Sequence, residues 1–147
     1  MKPSILVKTT KLTPSLSLSL SFLNDFLVSA NFLKGQFETL LPEFEPYFYK
    51  KGDPIVPFEV LKFSEKHKRC IKIYEFLRNS VTFGRVITYG EVAKKLGLSP
   101  RLVGYCMKIN PFPVIIPCHR VLSQKGLGGY SAGLEVKKEL LKHEGVL

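Results

Sequence analysis

The plainest pattern in the chain lies at residues 15–22, where Leu16, Leu18, Leu20 and Phe22 alternate with Ser15, Ser17, Ser19 and Ser21. A period of two is that of a strand with one face buried and the other toward solvent. Residues 5–7 read as a strand before it, with Thr13-Pro14 as the break, and the apolar run 26–33 as a third. Together they predict a small antiparallel sheet. Residues 36–49 then carry Phe37, Leu40, Leu41, Phe44 and Phe48 near one face of a helix, with Pro42 and Pro46 needing a first turn or a break. Gly52-Asp53-Pro54 ends that segment, and "IVPFEVLKF" is read as an extended connector.

Beyond it the period changes to that of helices. Cys70, Ile73, Tyr74, Phe76 and Leu77 predict an amphipathic helix over 65–79. Thr88 followed by Glu91 three residues later is a capping box for a helix that runs to Gly97. Ser99-Pro100 supplies an N-cap and a first-turn proline for the next helix, over 100–109, which Asn110-Pro111 closes. Two short helices joined by a glycine-containing turn match a helix-turn-helix; the alternative is an ordinary helical hairpin. Tyr105 and Cys106 are expected to pack one face of the second helix onto the first. A glycine-rich loop, "QKGLGGYSAG", leads to a last helix over 134–144. The expected fold class is mixed α/β: an N-terminal sheet with a helix (1–60) as scaffold, then a winged-helix-like domain (61–147) holding the helix-turn-helix.

Charge sharpens this division. Residues 1–60 carry 6 Lys+Arg and 6 Asp+Glu, residues 61–147 carry 16 and 6, so the whole net charge of +10 belongs to the second part. A basic segment built around a helix-turn-helix favours a polyanion, nucleic acid before membrane, and Arg101 and Lys108 on the second helix are the candidate contacts. Lys2, Lys8 and Lys11 ahead of "LSLSLSFL", with Val28-Ser29-Ala30 after it, have the outline of a signal peptide. The strict Leu/Ser alternation argues against that, and no apolar run is long enough to span a membrane.

Three cysteines, Cys70, Cys106 and Cys118, are an odd number without a CxxC, which argues against a disulfide framework and for a reducing compartment. His67 and Cys70 share a helix face but lack a second half with metal-site spacing, so a surface histidine beside a core cysteine is expected. Cys118, in "VIIPCHRVL", reads as a nucleophile, a metal ligand or a small core residue, the last being the commonest state of a lone cysteine. It follows a proline that breaks strand pairing, beside His119 and Arg120, and positive charge or a base lowers a thiol pKa. Neighbouring side chains in an extended segment point to opposite faces, so His119 needs a turn or a bridging water to act on Cys118. Glu144 and Glu135 are both candidates to orient the imidazole.

The cysteine box "PCHRV", preceded by "NPFPVII" and followed by "GGYSAG" and "HEG", together with "ITYGEVA", resembles the O6-alkylguanine-DNA alkyltransferase family over residues 57–147. The resemblance implies a DNA-repair protein that flips an O6-alkylguanine, and also an O4-alkylthymine, out of duplex DNA. It would then move the alkyl group irreversibly onto its own cysteine, once per molecule. In that reading Cys118 is the acceptor, His119 the base acting through a water, and Glu144 the carboxylate that orients it. Arg101 fills the space left by the extruded base, while Tyr89 presses on its phosphate and donates to N3. The loop around Ser131 bonds O6, and the carbonyls of Cys118 and Val121 accept from the exocyclic amine. Asn110 joins the recognition helix to the active-site strand, Pro113 and Tyr130 form pocket walls, and Gly104 and Lys108 lie on the DNA side.

Tyr105 and Cys106 depart from the small residues usual in the family after Gly104. The zinc ligands found in some relatives are missing, so no metal and no cofactor is expected. The implied partner is double-stranded DNA, with no membrane, for a monomer working in the cytoplasm or, in a eukaryote, the nucleus. The rival readings are a lesion-binding alkyltransferase-like protein, which replaces the acceptor cysteine that this chain keeps, a winged-helix regulator, and a cysteine hydrolase that would turn over.

Overall fold

The computed structural model describes residues 4–35 and 37–147. The alternating segment forms the middle strand of a three-stranded antiparallel sheet: β1 (Ile5–Lys11), β2 (Leu16–Leu23) and β3 (Phe26–Lys34), in that order. Thr13 closes the first turn by accepting from the Leu16 amide at 3.0 Å. Asn24, at φ 56°, makes the second turn, a left-handed position that asparagine tolerates. Leu16, Leu18 and Leu20 are buried as the alternation requires, but Ser17 on the opposite face is buried too, so that face is not uniformly solvated.

The helix expected over 36–49 is largely absent. Gln36 lies outside the described residues, 37–41 are not helical, and only a 3₁₀ turn (Pro42–Phe44) and the single turn α1 (Glu45–Phe48) form. Both prolines sit in the first turn of their pieces, because neither can donate to a preceding carbonyl. The stretch before them runs beside β1 instead: the Lys11 amide donates to the Thr39 carbonyl at 2.9 Å, and the Leu41 amide to Thr10 Oγ1 at 2.9 Å. The connector holds a 3₁₀ turn at Phe58–Val60 and then joins β3, where the Lys62 amide donates to the Leu27 carbonyl at 2.9 Å. The chain forms two compact units, Met1–Ser64 and Glu65–Leu147.

In the second unit the predicted helix over 65–79 is a 3₁₀ segment, Glu65–Cys70, followed by α2 (Ile71–Ser80). His67 is buried rather than on the surface, its Nε2 2.9 Å from the Ile109 carbonyl. Cys70 and Cys106 are joined in a disulfide, which overturns the argument from an odd count: two pair and Cys118 alone stays a thiol.

The two helices of the expected helix-turn-helix form as their caps require. α3 (Tyr89–Leu96) begins at a complete Thr88/Glu91 capping box and ends at Gly97, whose φ of 67° suits glycine. α4 (Pro100–Lys108) begins at Ser99, whose hydroxyl accepts from the Leu102 amide at 3.1 Å. Val92 and Ala93 on α3 and Val103 and Met107 on α4 are buried. β4 (Ile87–Thr88) pairs in parallel with β5 (Val121–Leu122), and α5 (Leu134–His143) closes the chain. No helix among the described residues is long and apolar enough to cross a membrane.

Candidate active site

The segment from Asn110 to Leu122 is folded by its own side chains. Asn110 donates to the Ile116 carbonyl and accepts from the Phe112 amide, both at 2.9 Å, and so pins the loop after α4 back on itself. Val114 is held at φ 73°, a backbone region that a β-branched residue rarely enters, while its side chain is buried. Pro117, at φ −79° and ψ 63°, makes an inverse γ-turn in which the Cys118 amide returns to the Ile116 carbonyl at 2.8 Å. A 3₁₀ turn over Cys118–Arg120 follows at once. The chain therefore turns at Cys118 and His119, one of the two alternatives, a turn or a bridging water, that the sequence left open for His119 to act on Cys118.

The Cys118 thiol is 4% exposed and 3.3 Å from the Tyr130 hydroxyl. Burial pushes its pKa up, while Tyr130, Asn110 and the Lys137 cation pull against that, so the resting group is a thiol that needs a base. His119 is fully buried, with Nε2 2.5 Å from Glu144 Oε2. Arg120 Nε donates to the other carboxylate oxygen at 2.7 Å, and its Nη1 to the Val81 carbonyl at 2.9 Å. Burial alone would raise the Glu144 carboxyl; His119 and Arg120 outweigh it and hold the group well below the usual carboxylate range. Glu135, the rival carboxylate, is exposed in the first turn of α5.

Lys137 is the residue that sequence reasoning missed most completely. Fully buried, it donates to the carbonyls of Val121 at 2.9 Å and Gly129 at 3.2 Å, and its ammonium lies 5.9 Å from the Tyr130 ring centroid. Its spacing to Leu140, Leu141 and Glu144 puts it on the inward stripe of α5, which was the available signal. Arg120, also passed over as a local positive charge, is in fact one of the largest fully buried side chains.

A cavity of about 290 Å³ opens beside the thiol's partner Tyr130. Tyr89, Gly104, Met107 and Lys108 from the two helices line it together with Gly129, Tyr130 and Ser131 from the glycine-rich loop. The Ser131 hydroxyl donates to the Lys108 carbonyl at 3.2 Å, tying the glycine-rich loop to the end of α4. That loop needs glycine at 128: φ is 74°, and a Cβ there would sit 3.2 Å from the Ser123 amide nitrogen. Burial, with Cys118 nearby, raises the Tyr89 pKa, so its hydroxyl stays protonated. Pro113, Val121 and Arg101 are not among the residues that line this cavity. Pro113 is half-buried, Val121 is fully buried with its carbonyl engaged by Lys137, and Arg101 borders a second hollow near the start of α4. Among the described residues no cluster of three or more His, Cys, Asp or Glu could hold a metal ion.

Known proteins resemble this chain in sequence and in fold. The chain is 44% identical over 117 residues to the methylated-DNA–protein-cysteine methyltransferase of Thermococcus gammatolerans, covering 80% of this chain and 63% of that protein. It is 56% identical over 75 residues to that of Thermococcus kodakarensis, covering 51% and 43%. The chain thus spans between about two fifths and three fifths of those relatives' length. Among solved structures, the O6-methylguanine-DNA methyltransferase of Pyrococcus kodakaraensis superposes with a TM-score of 0.71 at 28% identity, covering 97% of this chain and 100% of that one. The Mycobacterium tuberculosis OGT in complex with DNA gives 0.68 at 26% identity, covering 88% and 87%. The model of the "6-O-methylguanine DNA methyltransferase, DNA binding domain" family matches residues 69–146, more than half of the chain, and the chain belongs to that family.

Proposed function

We propose that the protein repairs DNA by direct reversal, taking the alkyl group of an O6-alkylguanine onto Cys118 in a single-turnover reaction. The observation that carries this reading is one thiol, 3.3 Å from the Tyr130 hydroxyl that borders the cavity, in a turn whose next residue is a histidine clamped by a buried carboxylate. A flipped guanine enters the cavity between α4 and the glycine-rich loop. Because Nε2 of His119 is held by Glu144, the base is Nδ1, which receives the thiol proton through a water. Sulfur then attacks the alkyl carbon, a new S–C bond forms, and the bond from that carbon to O6 breaks. The electron pair passes into the purine, and Tyr89, kept protonated by burial, delivers a proton to N3, so a neutral guanine leaves. The proton on His119 returns to Tyr89 through solvent. Ser131 stands by O6, and the carbonyls of Cys118 and Val121 use their second lone pairs for the exocyclic amine.

On the DNA side, Arg101 takes the place of the extruded base, and Gly104 and Lys108 meet the strand. Asn110 holds the turn to α4, and Tyr130 bounds the base. A stable thioether has no leaving group for water to displace, so each molecule acts once. We infer a monomer acting wherever the DNA is kept, the cytoplasm or a nucleus. The test is incubation with a duplex carrying O6-methylguanine, followed by intact-protein mass spectrometry and peptide mapping. One methyl at Cys118 is expected; no adduct, or several lesions repaired per molecule, would sink the reading.

A further inference from the structure

Arg69 occupies a junction that the reaction described above leaves unused. It precedes Cys70, whose sulfur is bonded to that of Cys106, and its guanidinium lies 5.9 Å from the ring centroid of Tyr105, the residue before Cys106. Two successive residues of the 3₁₀ segment Glu65–Cys70 are thus fastened to two successive residues of α4, one pair covalently and one by a cation–π contact. Arg69 and Tyr105 are exposed, and with Arg101, Ser99 and Leu102 they border a hollow of about 300 Å³.

The chemistry of that hollow is specific. Two arginines from different elements face it beside the first turn of α4, and no carboxylate is paired with either among the described residues. Stacking on a ring occupies the face of a guanidinium and not its rim of N–H donors, and that rim suits forked bonding to a phosphate. A 3₁₀ segment is a weakly hydrogen-bonded piece of chain. The disulfide spares the protein the cost of ordering it when a ligand arrives.

We propose that Arg69 is a backbone-phosphate contact for duplex DNA, held beside α4 by the Cys70–Cys106 disulfide and the Tyr105 ring. The DNA-binding surface thereby extends from the recognition helix onto the segment that precedes α2. This rests on the reading of the protein as a DNA-binding alkyl acceptor. It assigns a purpose to Tyr105 and Cys106, the two positions at which the chain departs from the pattern it resembles. A contact of this kind sets register on the strand and reads no base.

The experiment is fluorescence anisotropy of a labelled duplex titrated with the full chain across a series of salt concentrations. Arg69→Gln should flatten the dependence of log Kobs on log[salt] by about 0.9, the slope due to one phosphate contact, and weaken binding several-fold. Arg69→Lys, which keeps the charge, should recover most of the slope. A slope unchanged in Arg69→Gln overturns the contact. The double variant Cys70→Ser/Cys106→Ser should weaken binding when Arg69 is present and much less in the Arg69→Gln background. Equal weakening in both backgrounds overturns the disulfide's part, and should the double variant fail to fold, the Arg69 slopes still decide. Reaction of the wild-type chain with free O6-benzylguanine separates the layers: if no adduct forms, alkyl transfer fails, while the salt slope still decides on Arg69.

Discussion

Arg120 donates through Nε to Glu144 at 2.7 Å, so the carboxylate that grips His119 is itself gripped by a buried cation from the residue next to that histidine. Both oxygens of the carboxylate are committed, one to each neighbour. The imidazole is therefore fixed in orientation from behind, by a charge that cannot swing away. Glu144→Gln keeps the shape and removes the charge. Transfer from O6-benzylguanine to Cys118 should slow by about 100-fold or more, the usual scale for impairing a general base, when followed by mass spectrometry over time. A rate within about three-fold of the wild type would remove Glu144 from the mechanism.

Stability should follow the same pair, with a definite sign. The folded-state pKa of Glu144 is depressed, so its contribution is complete above the ordinary carboxylate value near 4.5 and is lost as pH falls below that value. Urea unfolding of the wild type and of Glu144→Gln at about pH 6 and about pH 3 should show the gap between them narrowing on acidification. A constant gap would mean that the charge contributes nothing to folding. Arg120→Met, which leaves the carboxylate beside the imidazole without its cation, should cost about 3–5 kcal/mol at neutral pH.

Lys137 should govern the thiol rather than the fold alone. Its cation lowers the Cys118 pKa against the effect of burial, so Lys137→Met should move thiolate formation to higher pH. Ultraviolet thiolate absorbance against pH, with Cys118→Ser as blank, measures this directly, since the other two cysteines are joined in a disulfide. An unmoved midpoint would reduce Lys137 to a clamp on the Val121 and Gly129 carbonyls.

Arg101 lies away from the cavity that borders the thiol's partner. If it stands in for an extruded base, Arg101→Ala should lose at least about ten-fold more reaction with a lesion in duplex DNA than with free O6-benzylguanine, because flipping costs a few kcal/mol that only the duplex must meet. Equal losses on the two substrates would contradict that role.

Val114 offers a test of backbone strain. At φ 73° a valine costs about 1–3 kcal/mol, which alanine does not relieve and glycine does. Val114→Gly should therefore be more stable than Val114→Ala, by about 1 kcal/mol in urea unfolding, reversing the order of these residues at ordinary positions. The usual order would show that the loop relaxes around the site.

Much of the second unit was legible because its signals are local. Thr88 with Glu91, Ser99 with Pro100, and Gly97 each act within a turn of themselves, so spacing alone located the two helices. The sheet was legible for the same reason, through alternation in β2. What escaped depends on distant partners. Nothing within ten residues of Cys70 announces Cys106, 36 positions on, and an odd cysteine count concealed a pair. Arg120 and Lys137 look like surface charge until Glu144, Val81 and Val121 are brought to them. His67 likewise becomes a core residue only because the Ile109 carbonyl meets it. The helix expected over 36–49 failed differently: apolar periodicity there was real, but two prolines outweighed it.

The two-residue ladder between β4 and β5 is, seen another way, a ruler. Thr88 sits opposite Leu122, so Tyr89 lies one residue past the ladder on one strand, and Cys118 three residues before its start at Val121 on the other. In the proposed reaction those counts decide which side chains the two strands deliver to the base and to the alkyl carbon. One residue inserted between Cys118 and Val121 would leave both helices, both caps and the ladder intact, yet present the wrong atom at the end of the measured length.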